Sequence, residues 1–291
     1  MNFLNMRQTK GMKKKNRSST SCGPDGHYGP NAEQPDLSPC DLEEAMTKYF
    51  EKLKKRVTNK ESQEILQQQT VGQHENQLWR EVRKNILTAS NFGVVIKRRL
   101  KLLPHNLIKR LLYQKELNTP AIRYGRLNES KAIAKYNEMT GREVKNCGIF
   151  IDWENPYLGA SPDGLVEDDG LIEVKCLPSL LNHKIRDSSS NRTCFHIVDN
   201  EIRLKTNHSF YYQIQGQLNI CRRNYCDFII YSDNDFHIER INKDVRLWKD
   251  QMLPKLKQFY FELMLPEIVD GRITRGLKVR QCTYSPHLEE N

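Results

Sequence analysis

GASPDGLVEDDGLIEVKC, residues 159–176, decides the reading of this 291-residue chain. It carries five acidic residues and one lysine between short apolar runs. Pro162-Asp163-Gly164 and Asp168-Asp169-Gly170 are turn tripeptides that bracket a short strand, LVE. A second strand, LIEVKC, follows. Residues two apart on a strand share a face. Glu173 and Lys175 therefore point one way, and Ile172, Val174 and Cys176 point the other, into a core. A hairpin of this length brings Asp163 near Glu173. Facing carboxylates repel unless a cation lies between them. A hard divalent ion such as Mg²⁺ takes oxygen ligands and would resolve the conflict. Lys175 beside it would orient or help activate a water and balance charge on a phosphate. Each piece also has an ordinary reading. The aspartate of PDG often caps its own backbone, and Glu-x-Lys on one strand face is often a solvated pair. The two together, ten residues apart, favour a site.

Working outward, Pro120 opens a helix, AIRYGRLNESKAIAKYNEMTG, with Gly141 as its C-cap. Glu129, Ala132, Ile133 and Tyr136 fall at i, i+3, i+4 and i+7, the spacing of a buried stripe. A glutamate there either snorkels out or faces a cleft. Beside a metal site it becomes a candidate third carboxylate. VKNCGIFI and YLGAS read as strands, and FHIVDNEIRLK as a strand or a hairpin turning at Asp199-Asn200. SFYYQIQGQLNICRR reads as a helix and YCDFIIYS as a strand. Upstream, a helix N-capped by Asp41 places Leu42, Ala45, Met46, Tyr49, Phe50 and Leu53 on one stripe. Another runs from Gln77 through LWREVRKNI. VRLWKDQMLPKLKQFYFELMLPEI reads as a C-terminal helix kinked or broken at Pro254. This order predicts an α/β domain with a mixed central sheet flanked by helices. The expected division is a disordered basic tail at 1–40, a helical extension at 41–75, the main domain at 76–268 and a basic irregular tail at 269–291.

The net charge of +10 and pI near 9.1 point to a polyanionic partner, most simply nucleic acid, or to a basic tail on an otherwise ordinary protein. Residues 97–115 hold seven Lys or Arg and no acid, which suits a phosphate-tracking surface or a solvated helix face. Tyr211 and Tyr212 could stack on bases or pack in the core. The eight cysteines form no CxxC pair and read as reduced intracellular thiols. No apolar run reaches membrane-spanning length, so no membrane partner is expected. The run KKKNR is a nuclear import signal or a solvated tail, and the expected location is intracellular. GASPDG lacks the second glycine of a GxSxG nucleophile elbow, so Ser161 is not read as a nucleophile.

SPDG followed by an ExK ten residues on resembles the PD-(D/E)xK nuclease signature. Four blocks in order carry the wider resemblance: LWREVRKNILTAS (78–90), RYGRLNESKAIAKY (123–136), GASPDGLVEDDGLIEVKC (159–176) and YYQIQGQLNI (211–220). Together they are similar to the lambda-exonuclease or YqaJ-type viral recombinase branch of that superfamily. The resemblance implies a restriction-endonuclease-like core. It implies that Asp163, Glu173 and the Val174 carbonyl bind Mg²⁺, with Mn²⁺ substituting, and that Glu129 joins them directly or through water. Lys175 would orient the attacking water and Gln213 would lie at the site's edge, with Gln217 one turn on as a weaker candidate. Arg83, Ser90 and Ser161 match residues that hold a terminal 5′-phosphate. The implied activity is a 5′-to-3′ exonuclease on double-stranded DNA ends, in recombination or mobile-element biology. A homo-oligomer and a single-strand annealing partner protein belong to the same implication. The alternatives are an endonuclease of the same fold and a DNA-binding or recombination module without catalysis. The longer segment between Lys175 and Gln213 and the long N-terminal extension depart from the pattern, so trimer formation and processivity do not carry over.

Overall fold

The computed structural model describes residues 35–99, 104–114, 118–180, 183–190, 193–280 and 282. The run KKKNR, most of the expected tail at 1–40, and Leu102, Leu103 and Lys115 of the basic stretch lie outside the described residues. In chain order come α1 (Pro39–Lys54), α2 (Lys60–Gln69), α3 (Gln77–Arg83), β1 (Leu87–Thr88), α4 (Phe92–Ile96), α5 (His105–Tyr113) and α6 (Pro120–Thr140). Then follow β2 (Val144–Lys145), β3 (Phe150–Ile151), β4 (Leu158–Ala160), β5 (Gly164–Val166) and β6 (Gly170–Cys176). The chain continues through β7 (Phe195–Val198), β8 (Glu201–Leu204), α7 (Ser209–Ile220), β9 (Tyr225–Ser232) and β10 (Asp235–Asn242). A helical run over 245–269 completes the fold.

The central sheet has the order β10-β9-β6-β5-β2. β6 and β9 are parallel, and the other pairs are antiparallel. A smaller sheet, β1-β4-β3, pairs β1 parallel and β3 antiparallel to β4. β6 is covered on both faces, which explains its near-continuous apolar run. Ile172 and Val174 pack with Ile229 and Tyr231 under Ala132 and Tyr136 of α6. Leu171, Phe228 and Ile230 belong to the large core that includes Ile214 and Leu218 of α7. Glu173 and Lys175 share the parity of Leu171 and so face the α7 layer. Burying a Leu or Ile there would contribute about 1.5–3 kcal/mol. Glu173, 1% exposed, is instead a buried polar group that must be hydrogen-bonded.

The stripe of α1 is buried as expected, with Leu42, Met46, Phe50 and Leu53 in the main core. Its N-cap is Ser38 rather than Asp41, because Pro39 presets the first turn and the Ser38 hydroxyl accepts from the Asp41 N–H. Gly141 closes α6 in the left-handed region, φ 68°. Asp199 and Asn200, φ 47° and 62°, make the two-residue turn of the β7–β8 hairpin. Three further expectations change. The helix from Gln77 ends at Arg83, because Asn85 takes φ 64°. VKNCGIFI is two strands in different sheets. The C-terminal helix does not break at Pro254. It widens into π-helical turns at 248–252 and 260–264, ahead of Pro254 and Pro266, which absorbs the missing amide hydrogens. Past Val269, in the stretch expected as an irregular basic tail, Arg275 bonds Asp270 at 2.5 Å and Asp36 at 3.0 Å, and Arg280 bonds Asp270 at 2.7 Å. Among the described residues no helix is long and apolar enough to cross a membrane.

Candidate active site

Asp163 sits just before β5, where Gly164 pairs with Ile172 of β6. Its N–H donates to the Ile172 carbonyl at 3.2 Å, and its Oδ2 accepts from the Val174 N–H at 2.6 Å. An extended residue turns its N–H and C=O to the same strand edge. The Val174 carbonyl therefore points to the edge that Asp163 occupies, although the Val174 side chain is buried on the other face. Asp163 and Glu173 thus meet across the hairpin, as their spacing requires.

Glu173 accepts from three donors: Gln213 Nε2 at 2.7 Å, Gln217 Nε2 at 2.6 Å and Lys175 Nζ. Gln213 and Gln217 lie one turn apart on α7, over the face that Glu173 presents. Gln217 Oε1 is buried without a partner. Glu129, Asp163, Glu173, Lys175 and Gln213 line one cleft of about 500 Å³, together with Arg83, Ser90 and Ser161. Of the expected site residues, Val174 alone is not in the cleft lining; its side chain is buried on the opposite face of β6.

The electrostatics are those of crowded carboxylates. Removal from water, then the charges of Glu173 and Glu129, push the Asp163 carboxyl well above its usual range, against the pull of Lys175 and the Val174 N–H. Burial and Glu173 raise Glu129. Burial alone would lower Lys175, but Glu173 and Asp163 outweigh it and hold the ammonium charged. Among the described residues no three His, Cys, Asp or Glu side chains form a ready-made metal cage. The donors present are nevertheless hard oxygens, two carboxylates and a strand-edge carbonyl, with a third carboxylate in the same cleft. They carry more negative charge than one lysine balances. That set fits a divalent cation such as Mg²⁺ or Mn²⁺ and suits no soft metal.

Beside the carboxylates in the same cleft lining, β1 runs parallel to β4 with Thr88 next to Gly159. This register sets Ser90 and Ser161 each just beyond a paired strand end. The Thr88 and Ser90 hydroxyls are 3.2 Å apart. The Arg83 guanidinium stacks 3.9 Å from the Trp79 ring centre, and Trp79 Nε1 donates to Ser161 Oγ at 2.9 Å. Trp79 was not singled out by sequence reasoning, nor was Arg126, which also lines the cleft. The signal for Trp79 was its place four residues before Arg83, one helical turn.

The model of the YqaJ-like viral recombinase domain matches residues 78–224. Among solved structures, the chain is similar to an alkaline exonuclease, LHK-Exo, from Laribacter hongkongensis. They are 24% identical with TM-score 0.52, covering 68% of this chain and 96% of that one. It is similar to LHK-Exo in complex with dAMP, 25% identical with TM-score 0.51, covering 66% and 94%. It also shares a fold with SOX from a SOX–DNA complex, 11% identical with TM-score 0.50, covering 80% and 76%. No curated protein matches the chain.

Proposed function

The chain belongs to the YqaJ-like viral recombinase domain family and is a DNA nuclease with a PD-(D/E)xK core, and from that premise we propose that it is a Mg²⁺-dependent 5′-to-3′ exonuclease on double-stranded DNA ends. Its setting would be recombination or mobile-element biology. The observation that carries this reading is one cleft lined by two chemically different groups of residues. Both chemistries line it: Asp163, Glu173, Lys175 and Glu129 supply carboxylates and an ammonium, and Arg83, Ser90 and Ser161 supply phosphate donors.

Asp163, Glu173 and the Val174 carbonyl would hold the cation, with Glu129 joining directly or through water. When bound, Mg²⁺ supplies Lewis-acid stabilisation of the phosphate and lowers the pKa of a water. Gln213 and Gln217 fix the Glu173 carboxylate, so its lone pairs stay aimed. Lys175 Nζ, held against Glu173, orients the attacking water and offsets charge that builds on the phosphate oxygens. No side chain is needed as a nucleophile, so the step is direct in-line hydrolysis. Arg83, its planar guanidinium held in place by stacking on Trp79, presents its donors to a terminal phosphate, with the Ser90 and Ser161 hydroxyls beside it.

The test uses linear duplexes labelled at either 5′ end or closed into circles, with Mg²⁺ or EDTA. The wild type should release the 5′ label only with metal, prefer 5′-phosphate over 5′-hydroxyl ends, and leave closed circles intact. Lys175→Ala should lose roughly 10²–10³ in rate, the usual cost of removing one positioned donor that stabilises developing charge. Cleavage of closed circles would replace the exonuclease with an endonuclease. Equal rates on the two kinds of end would remove the phosphate-pocket role.

A further inference from the structure

Part of the cleft wall precedes the family-matched residues 78–224. It is the turn after α2, where Gly72, Gln73 and His74 line the cleft. Gly72 and Gln73 both take left-handed backbone, φ 89° and 43°. Glycine does so freely, but a glutamine needs the surroundings to hold it there. The Gln73 side chain supplies the hold. Its Nε2 donates to the Pro162 carbonyl at 2.8 Å and to the Cys147 carbonyl at 3.2 Å. Pro162 immediately precedes Asp163.

The rest of this turn's support is also rigid. Gln63 Nε2 donates to the Ile151 carbonyl at 2.7 Å. The Thr70 hydroxyl accepts from the Ile149 N–H at 2.9 Å. α2 thus clasps the backbone over 147–151, and Gln73 extends the clasp to the turn before Asp163. From the far side, β6 holds Asp163 through the Ile172 carbonyl and the Val174 N–H.

The geometry points to Gln73 as a positioning residue for the cation site: by holding the Pro162 carbonyl it fixes the turn that presents Asp163. The segment ahead of the matched domain is then part of the active site. The inference rests on reading Asp163 as a metal ligand. Mg²⁺ demands near-ideal octahedral geometry, so a ligand on a loose turn binds it poorly. Loss of a group that orients a ligand typically weakens metal binding about ten- to a hundredfold.

Two variants of the full chain test it. Gln73→Gly eases the left-handed backbone while removing the side chain. Gln73→Glu keeps the length and removes the amide donor. Mn²⁺ binding without DNA is titrated by calorimetry, and thermal unfolding is followed without metal. The expected result is that Gln73→Gly melts like the wild type, and that both variants bind Mn²⁺ roughly ten- to a hundredfold more weakly. Their kcat should fall while KM for DNA holds. Wild-type Mn²⁺ affinity in both variants would overturn the proposal, whatever happens to the melting temperature. Asp163→Asn separates the two layers. If it binds Mn²⁺ as the wild type does, or if the wild type binds none, the metal reading fails and takes this inference with it. If it loses the metal while both Gln73 variants keep it, the clasp alone is wrong.

Discussion

Among the described residues two glutamates, Glu173 and Glu267, are each 1% exposed, and they are treated differently. Glu173 receives one cation and two amide donors, so both of its buried oxygens are hydrogen-bonded. Glu267 receives the Tyr113 hydroxyl and the Ile273 N–H, both at 2.8 Å and both on Oε1, while Oε2 is buried without a partner. Burial raises its pKa, and the nearby Asp270 adds to this, while its hydrogen bonds oppose it. A carboxyl whose pKa is higher folded than unfolded binds more protons in the native state. Its contribution to stability is therefore best at low pH and falls as pH rises from about 4.3, the unfolded value, through the folded pKa. Glu267→Gln keeps the acceptor on Oε1 and removes the charge. Urea unfolding should find it close to wild type near pH 4 and more stable than wild type near pH 8. A gap that does not widen with pH would refute this. At this scale the sequence was informative where chemistry repeats at short range. Asp163, Glu173, Lys175 and Glu129 were legible because alternation and helical spacing set their faces. Trp79 and Gln73 were not, because their partners Ser161 and Pro162 lie 82 and 89 positions away, and the one local mark, Trp79's place a turn before Arg83, does not reveal Ser161.

At the scale of elements, the longest runs were read best. The period-3.6 stripe of α1, the capped α6 and the turn-bounded β5–β6 hairpin all follow from local pattern. VKNCGIFI misled because its apolar residues satisfy one strand template, whereas the chain changes sheets within it. Gly148 marks the change. It passes so close under α2 that an added Cβ would lie 2.2 Å from the Gln67 carbonyl oxygen and 2.2 Å from the Thr70 hydroxyl. One of these is backbone and the other is fixed by its bond to Ile149, so neither can yield cheaply. Gly148→Ala should cost about 1–3 kcal/mol, the usual penalty of overpacking. Because α2 would be pushed off the turn it supports, nuclease activity should fall further than the fraction unfolded accounts for. Denaturant titration beside single-turnover cleavage separates the two, and an Ala variant of wild-type stability would show that α2 is free to move.

At the scale of the whole molecule, the recognisable part and the folding unit differ. Residues 78–224 contain all the expected site residues, yet they stop one residue before β9 begins. β9 lies between β6 and β10 and pairs with β6 from Gly170 to Cys176, the strand that carries Glu173 and Lys175. Without it, that strand loses one hydrogen-bonded neighbour and exposes an apolar edge. Phe228, Ile229 and Ile230 would be missing from cores on both faces. Leu53 and Val57, ahead of the matched region, and Tyr260 and Phe261, behind it, belong to the same main core. Each such large side chain removed from a core costs about 2–5 kcal/mol, against a typical domain stability of about 5–15 kcal/mol. A fragment of residues 78–224 should therefore fail to fold, with no cooperative thermal transition by circular dichroism and no cleavage. The full chain should melt in one transition that Mn²⁺ shifts upward, because a ligand bound only by the native state stabilises it by mass action. A fragment that melts cooperatively and cleaves DNA would mean that the flanking helices and β9 are accessories to a self-sufficient core. The long-range pairing of β6 with β9 argues against that outcome, because the strand that carries Glu173 and Lys175 takes one of its two neighbours from beyond the recognisable region.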